Sequence, residues 1–111
     1  MSQLNVTREL VSTYRKHGWQ LRRALVRPES LAELSVLKEG FGEDVRIDEA
    51  PVDALWFSRP SHQNREAWEL RLVAETQYAL FETFESDEAE EDREEVRREM
   101  EARLRDYVSG E

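Results

Sequence analysis

The sequence predicts an α+β domain: an antiparallel sheet of about four strands, helices packed on one face, and a long acidic C-terminal helix. Three observations lead to that class. Apolar residues recur at helical spacing towards both ends of the chain and alternate with polar ones in its middle. Proline and glycine are scarce, at 3 and 4 residues, which argues against a linker-rich or disordered chain. The 111 residues are enough for one core without staples, so 1–111 reads as a single domain with 86–108 as its C-terminal amphipathic helix.

From Asn5 to His17, Val6, Leu10, Val11 and Tyr14 share one helical face. Asn5 or Thr7 can cap the start, Lys16 and His17 suit the negative end, and Gly18 is a natural terminator. "WQLRRALV", Trp19 to Val26, then alternates as a strand, with Trp19, Leu21 and Leu25 on one face and Gln20, Arg22, Ala24 and Val26 on the other. Pro28 stops that strand. "SLAE", Ser30 to Glu33, is a capping-box pattern in which the serine oxygen accepts a free backbone N–H and Glu33 reaches back. A helix of about three turns, striped by Leu31, Leu34 and Leu37 and ended by Gly40, follows from it. Val45 and Ile47 fit a short edge strand or, given the acids around them, a loop.

"DALWFS", Asp53 to Ser58, is aromatic-rich and closed by Pro60, and reads as a strand. "RPSHQN", Arg59 to Asn64, is turn chemistry. The stretch from Arg65 to Glu85 is the ambiguous one. As a helix its large apolar residues, Trp68 to Phe84, scatter almost all round the cylinder and would need burial on every side. As strands, "WELRL" alternates cleanly. Ala, Glu, Leu and Gln favour helix, and "AETQ" holds no residue made for a tight turn. Period outranks propensity here, so a hairpin about Glu75 is preferred over a helix.

Folding at both turns sets Phe57 opposite Trp68, Leu55 opposite Leu70, Arg59 opposite Glu66 and Leu70 opposite Leu80. One face then carries Leu55, Phe57, Trp68, Leu70, Leu72, Tyr78 and Leu80 as core; a slip by one residue inverts that assignment. At the end of the chain Asp87 with Glu90 can cap a long helix striped by Val96, Met100, Leu104 and Val108. Glu94–Arg98, Glu99–Arg103 and Glu101–Arg105 are spaced one turn apart, acid first, each worth about 0.2–0.5 kcal/mol.

Composition narrows function mainly by exclusion. Without cysteine there is no disulfide framework, thiolate metal site or cysteine nucleophile. No signal peptide or long apolar run is seen, so the chain reads as cytoplasmic and off the membrane. The net charge of −9 disfavours bulk nucleic-acid or anionic-membrane binding. That charge is uneven: residues 1–28 carry six bases against Glu9 alone, a balance of +5, and residues 82–111 carry thirteen acids against five arginines, a balance of −8. The two ends are therefore expected to pack near each other.

His17 at a helix end and His62 in a polar turn lack metal-ligand spacing. No phosphate loop, EF-hand or nucleophile elbow is present. Neither a catalytic residue nor a cofactor is implied, and a non-catalytic domain is expected. The opposite sheet face would carry Trp56, Val73, Ala79 and Phe81 between Glu69 and Arg71, with Arg22 beside them. Exposed aromatics with arginine are common at interfaces. The expectation is a small protein-interaction or regulatory domain, with Trp56 and Phe81 as anchors and Arg71, Glu69 and Arg22 around them, meeting a protein partner or a second copy. The alternative is a small-molecule binder or enzyme with a pocket between sheet and helices.

Overall fold

A computed structural model describes residues 3–34, 45–74 and 76–110. The element order is α1 (Gln3–Lys16), β1 (Gln20–Val26), α2 (Pro28–Leu34), β2 (Arg46–Glu49), β3 (Ala54–Pro60), a 3-10 turn (His62–Asn64), β4 (Glu66–Leu72), β5 (Ala79–Phe84) and α3 (Glu90–Ser109). The strands form one five-stranded sheet in the order β2-β1-β3-β4-β5. The fold is α+β, but the sheet is mixed and not purely antiparallel. β2 runs parallel to β1, with Arg23 beside Arg46 and Val26 beside Glu49, and every other neighbour is antiparallel.

Both faces of the sheet are covered, not one. Val11 of α1 packs with Leu21, Val26, Leu55, Phe57 and Ala67, and α2 lies beside α1 on that side. Met100 and Leu104 of α3 pack on the other face with Leu25, Trp56, Trp68, Leu70 and Phe84. The central strand β3 is consequently buried from Ala54 to Ser58 without interruption. A strand sandwiched between two helical layers shows no in–out alternation.

Local chemistry explains the element ends. Gly18, at φ 85, ends α1 in the left-handed region while the N–H groups of His17 and Trp19 return to the Tyr14 carbonyl. Pro28 both stops β1 and opens α2, where its missing N–H costs nothing. Ser30 is therefore inside the helix and not its cap: its hydroxyl donates to the buried Asp53 carboxylate at 2.8 Å. The same carboxylate accepts the Arg27 backbone N–H at 2.7 Å and Arg27 Nε at 3.2 Å. The expected Asp87 cap is also absent. α3 begins after Ala89, and Glu88 instead accepts the Glu85 N–H at 2.8 Å. Leu37, Gly40 and Glu75, expected at a helix stripe, a helix end and the hairpin tip, lie outside the described residues.

Two register findings decide the faces. The β4–β5 hairpin forms with Leu70 opposite Leu80, as the alternation predicts. Between β3 and β4 the pairing is one residue away from the expected one, with Ser58 opposite Trp68 and Pro60 opposite Glu66. The connection is closed by the Ser61 N–H on the Arg65 carbonyl at 2.8 Å, and Gln63 and Asn64 both take positive φ, 59° and 62°. That left-handed pair sets the loop length and hence the register. In β1 a bulge between Leu21 and Arg23 makes Arg22 an extra residue and turns both Arg22 and Arg23 towards α3.

α3 is tied to the sheet by charge as well as by its apolar stripe. Arg23 donates two hydrogen bonds to Glu94, at 2.9 and 2.8 Å, instead of leaving Glu94 to Arg98. The basic N-terminal segment and the acidic C-terminal one thus meet directly. The Arg23 hydrogen bonds hold the Glu94 carboxyl below the ordinary carboxylate value, and Glu94 in turn raises Arg23. A lowered native value means that this contribution is complete above the unfolded glutamate value of about 4.3 and fades as pH falls through the native one. Glu94→Gln should therefore be less stable than the parent near neutrality. The gap should close on acidification below about pH 4, as followed by urea midpoints across pH.

Candidate interaction surface

The expected binding face is divided by these registers. Because the β4–β5 pairing is as predicted, Glu69, Arg71, Ala79 and Phe81 do share one face, with Glu69 directly opposite Phe81 and Arg71 opposite Ala79. Because the β3–β4 pairing is shifted, Trp56 is on the other face, at 0% exposure beneath α3. Its indole N–H donates to Glu101 at 2.7 Å and its ring meets Trp68 edge-on at 5.9 Å. Trp56 is a core residue, and its expected exposure is corrected. Arg22 is also on the α3 side, turned there by the bulge, with its guanidinium 5.8 Å from the Trp68 ring centre. Val73 is buried in the α1-side core.

α1 covers the inner part of the remaining face. Tyr14 stacks on Phe57 with ring centres 4.1 Å apart and donates its hydroxyl to the Glu69 carboxylate. Burial, together with that carboxylate, pushes the Tyr14 phenol above its ordinary value. Arg71 donates Nε to the Leu72 carbonyl at 3.2 Å and lines a hollow with Leu10 and Tyr14 of α1. Glu69 and Arg71 are half-buried and engaged with their own chain.

Phe81 is different. It is 57% exposed, and its only ring neighbour among the described residues is Trp19, edge-on at 6.4 Å. Trp19 is itself fixed beneath the Arg59 guanidinium at 4.4 Å, and Arg59 donates to the His17 carbonyl at 2.7 Å. Phe81 therefore extends a rigid aromatic pair out to the rim of the sheet.

The strand carrying Phe81 is an edge, with β4 on one side and no described strand on the other. The Leu72 N–H donates to the Tyr78 carbonyl at 3.0 Å, which identifies 72–78 as a hydrogen-bonded pair. Alternation in an antiparallel ladder then makes 70–80, 68–82 and 66–84 bonded pairs too. Ala79, Phe81 and Thr83 consequently turn their backbone N–H and C=O away from β4. The next outward N–H, that of Glu85, is satisfied by the Glu88 side chain. Nothing in Ala79–Phe84 blunts the edge with lysine or proline, and Glu82 is its only charge. Sequence reading found Phe81 but not this edge, because which strand ends the sheet depends on the long-range order of all five.

The histidines stay apart from this surface. His17 Nδ1 is 2.9 Å from the Thr13 carbonyl, and His62 is exposed in the 3-10 turn. Among the described residues no cluster of three metal-ligating side chains occurs, and no helix is long and apolar enough to cross a membrane. Comparison with protein families, with curated proteins and with solved structures gives no match.

Proposed function

We propose that the protein is a small non-catalytic interaction domain whose docking element is the free edge of β5, and that the partner this strand fits is a second copy of the chain. The observation that carries the reading is Phe81, a large exposed aromatic on a residue whose backbone hydrogen-bonding groups also point outward. Strand addition uses both at once: main-chain bonds supply affinity and the side-chain pocket supplies specificity.

The strand's own pattern selects the arrangement. Two copies joined about a two-fold axis perpendicular to the sheet must pair outward-facing residues with outward-facing residues. Setting Thr83 opposite Phe81 meets that rule but places Glu82 directly against Glu82 of the second copy, which is repulsive. Setting Phe81 opposite Phe81 of the second copy avoids it. Thr83 then faces Ala79, Glu82 faces Leu80, and the two phenylalanines meet on the α1 side between two copies of Trp19. Strand registers that bury an aromatic pair and separate like charges are the favourable ones.

Each copy carries a net charge of −9, so long-range repulsion opposes association. Salt screens that repulsion, and dimerisation through an apolar and main-chain edge should strengthen as salt is added. Sedimentation equilibrium through the micromolar range, at low and high salt, tests this. Thr83→Pro removes an N–H that faces away from β4, so it should yield a monomer whose unfolding midpoint is close to that of the wild type diluted to its monomeric state. A wild-type chain that stays monomeric at every concentration and salt, or a Thr83→Pro chain that still dimerises, would overturn the reading.

A further inference from the structure

At the other side of the sheet, the first turns of α3 stand off from β1 and β4 and leave a cleft of about 560 Å³. Volumes of this order suit small ligands. Its walls bring together five arginines from three elements of different sequence position: Arg22 and Arg23 from the bulge of β1, Arg46 from β2, and Arg93 and Arg97 from α3. Glu66 and Glu90 line the cleft too, and Arg23, Arg46 and Arg93 pair with Glu94, Asp48 and Glu66. The arginines still outnumber these acids, in a chain whose net charge is −9. We propose that the cleft is a binding site for a phosphate-bearing small molecule. The proposal does not depend on the β5 edge, which lies outside the cleft.

Arg97 is the fixed floor of the site. It is 1% exposed, with its guanidinium 4.3 Å from the Trp68 ring centre and 5.6 Å from that of Phe84. Its Nη2 donates to both Glu90 oxygens at 2.8 and 3.1 Å, and its Nη1 to Glu90 at 3.2 Å and more distantly to Glu94 at 3.5 Å. Its buried Nε has no hydrogen-bond partner among the described residues. The buried Nε of Arg93 has none either. A planar guanidinium packed against aromatic rings loses little freedom when it binds an oxyanion. Donors left unsatisfied in a buried setting carry a desolvation cost that a suitable acceptor relieves.

Glu90 is the movable part. Its side chain is 69% exposed and rooted in the first turn of α3, yet its carboxylate occupies the Arg97 fork. It acts as a resident carboxylate that an incoming anion displaces outward into solvent. Arg22 supplies the additional charge. It is exposed, donates only to Gln20 Oε1 at 3.3 Å and makes no ion pair among the described residues. Both Arg22 and Arg97 lie within 5.8 Å of the Trp68 ring centre, so the free cation and the fixed one border the same ring. A phosphate group carries up to two charges and three acceptor oxygens, and can engage Arg97 and further arginines together. A carboxylate offers two oxygens and one charge, which Glu90 already supplies.

Isothermal titration with inorganic pyrophosphate at constant ionic strength tests the site, with succinate as the carboxylate comparison. Arg97 is too buried to substitute cleanly, so the variants are Arg22→Gln and Glu90→Gln, both on exposed side chains. The expected results are saturable pyrophosphate binding, an affinity about tenfold weaker in Arg22→Gln through loss of a charged contact, and a several-fold gain in Glu90→Gln as the competing carboxylate is removed. Binding without saturation in the millimolar range, affinities that neither variant changes, or succinate binding as tightly as pyrophosphate would each overturn the proposal.

Discussion

Trp56→Ala should destabilise the protein by about 3–5 kcal/mol, the range found when large aromatic core residues are truncated. Trp56 has no exposed surface, touches Trp68, and lies beneath the Met100 and Leu104 side of α3. Its removal opens a void that a central strand covered on both faces cannot close by moving. A domain of this size typically has only about 5–15 kcal/mol of stability, so the variant should unfold at much lower urea with an unchanged dependence on denaturant. Trp56→Phe keeps most of the packing and loses the indole N–H bond to Glu101. It should cost distinctly less. Self-association should survive in any Trp56 variant that remains folded, because the residue is buried on the α3 face and not at the edge. Weakened association with stability intact would show that Trp56 meets the partner and is not core.

The second large effect is expected at Asp53. This carboxylate is 3% exposed and gathers the Arg27 backbone N–H, the Arg27 guanidinium and the Ser30 hydroxyl, so it joins the start of β3 to the start of α2. Asp53→Ala strands a buried hydroxyl and a backbone N–H together and should cost about 3 kcal/mol, the scale of two polar groups left unsatisfied. The Arg27 guanidinium, on a side chain 40% exposed, turns to water and adds little. Ser30→Ala removes a single bond and should cost about 1 kcal/mol. In a double-mutant cycle the two losses should not add, since each removes the same Ser30–Asp53 bond. Strict additivity would mean that the bond contributes nothing.

The hairpin of β4 and β5 was legible because its alternation is strong enough to overrule helix-favouring residues. For the same reason Glu69, Arg71, Ala79 and Phe81 were correctly grouped on one face. The C-terminal end of α1 was legible from Gly18, but its start was not, since the helix begins at Gln3 and takes Asn5 and Thr7, the expected caps, into its interior. α3 was legible from Met100 and Leu104. The neighbouring register was not. It hinges on Gln63 and Asn64 adopting left-handed conformations together, and glutamine gives no sign of doing so. One residue of slip there sent Trp56 to the opposite face. The parallel pairing of β2 with β1 was equally hidden, since it joins a four-residue strand rich in charge to a distant partner.

Arg22 misled for a related reason. Strict alternation through β1 fails where the bulge inserts a residue, and no glycine marks the position. Arg97 left a fainter trace that could have been read. Arg93, Arg97, Met100 and Leu104 recur at spacings of four, three and four, a single helical face, so an arginine continues the apolar stripe of α3. An arginine on a buried stripe needs acids and aromatic rings around it. Glu90, Glu94, Trp68 and Phe84 provide them.

The most direct measurement of the proposed assembly uses the absence of native cysteine. Ala79→Cys and Thr83→Cys chains are prepared separately, mixed in equal amounts and oxidised mildly. In the proposed pairing residue 79 of one copy faces residue 83 of the other, at a separation that a disulfide can bridge. The mixture should therefore give a cross-linked heterodimer while each chain alone gives little. Cross-linking that is equally efficient in the unmixed chains, or absent from the mixture while Phe81 remains in place, would contradict association through the edge of β5.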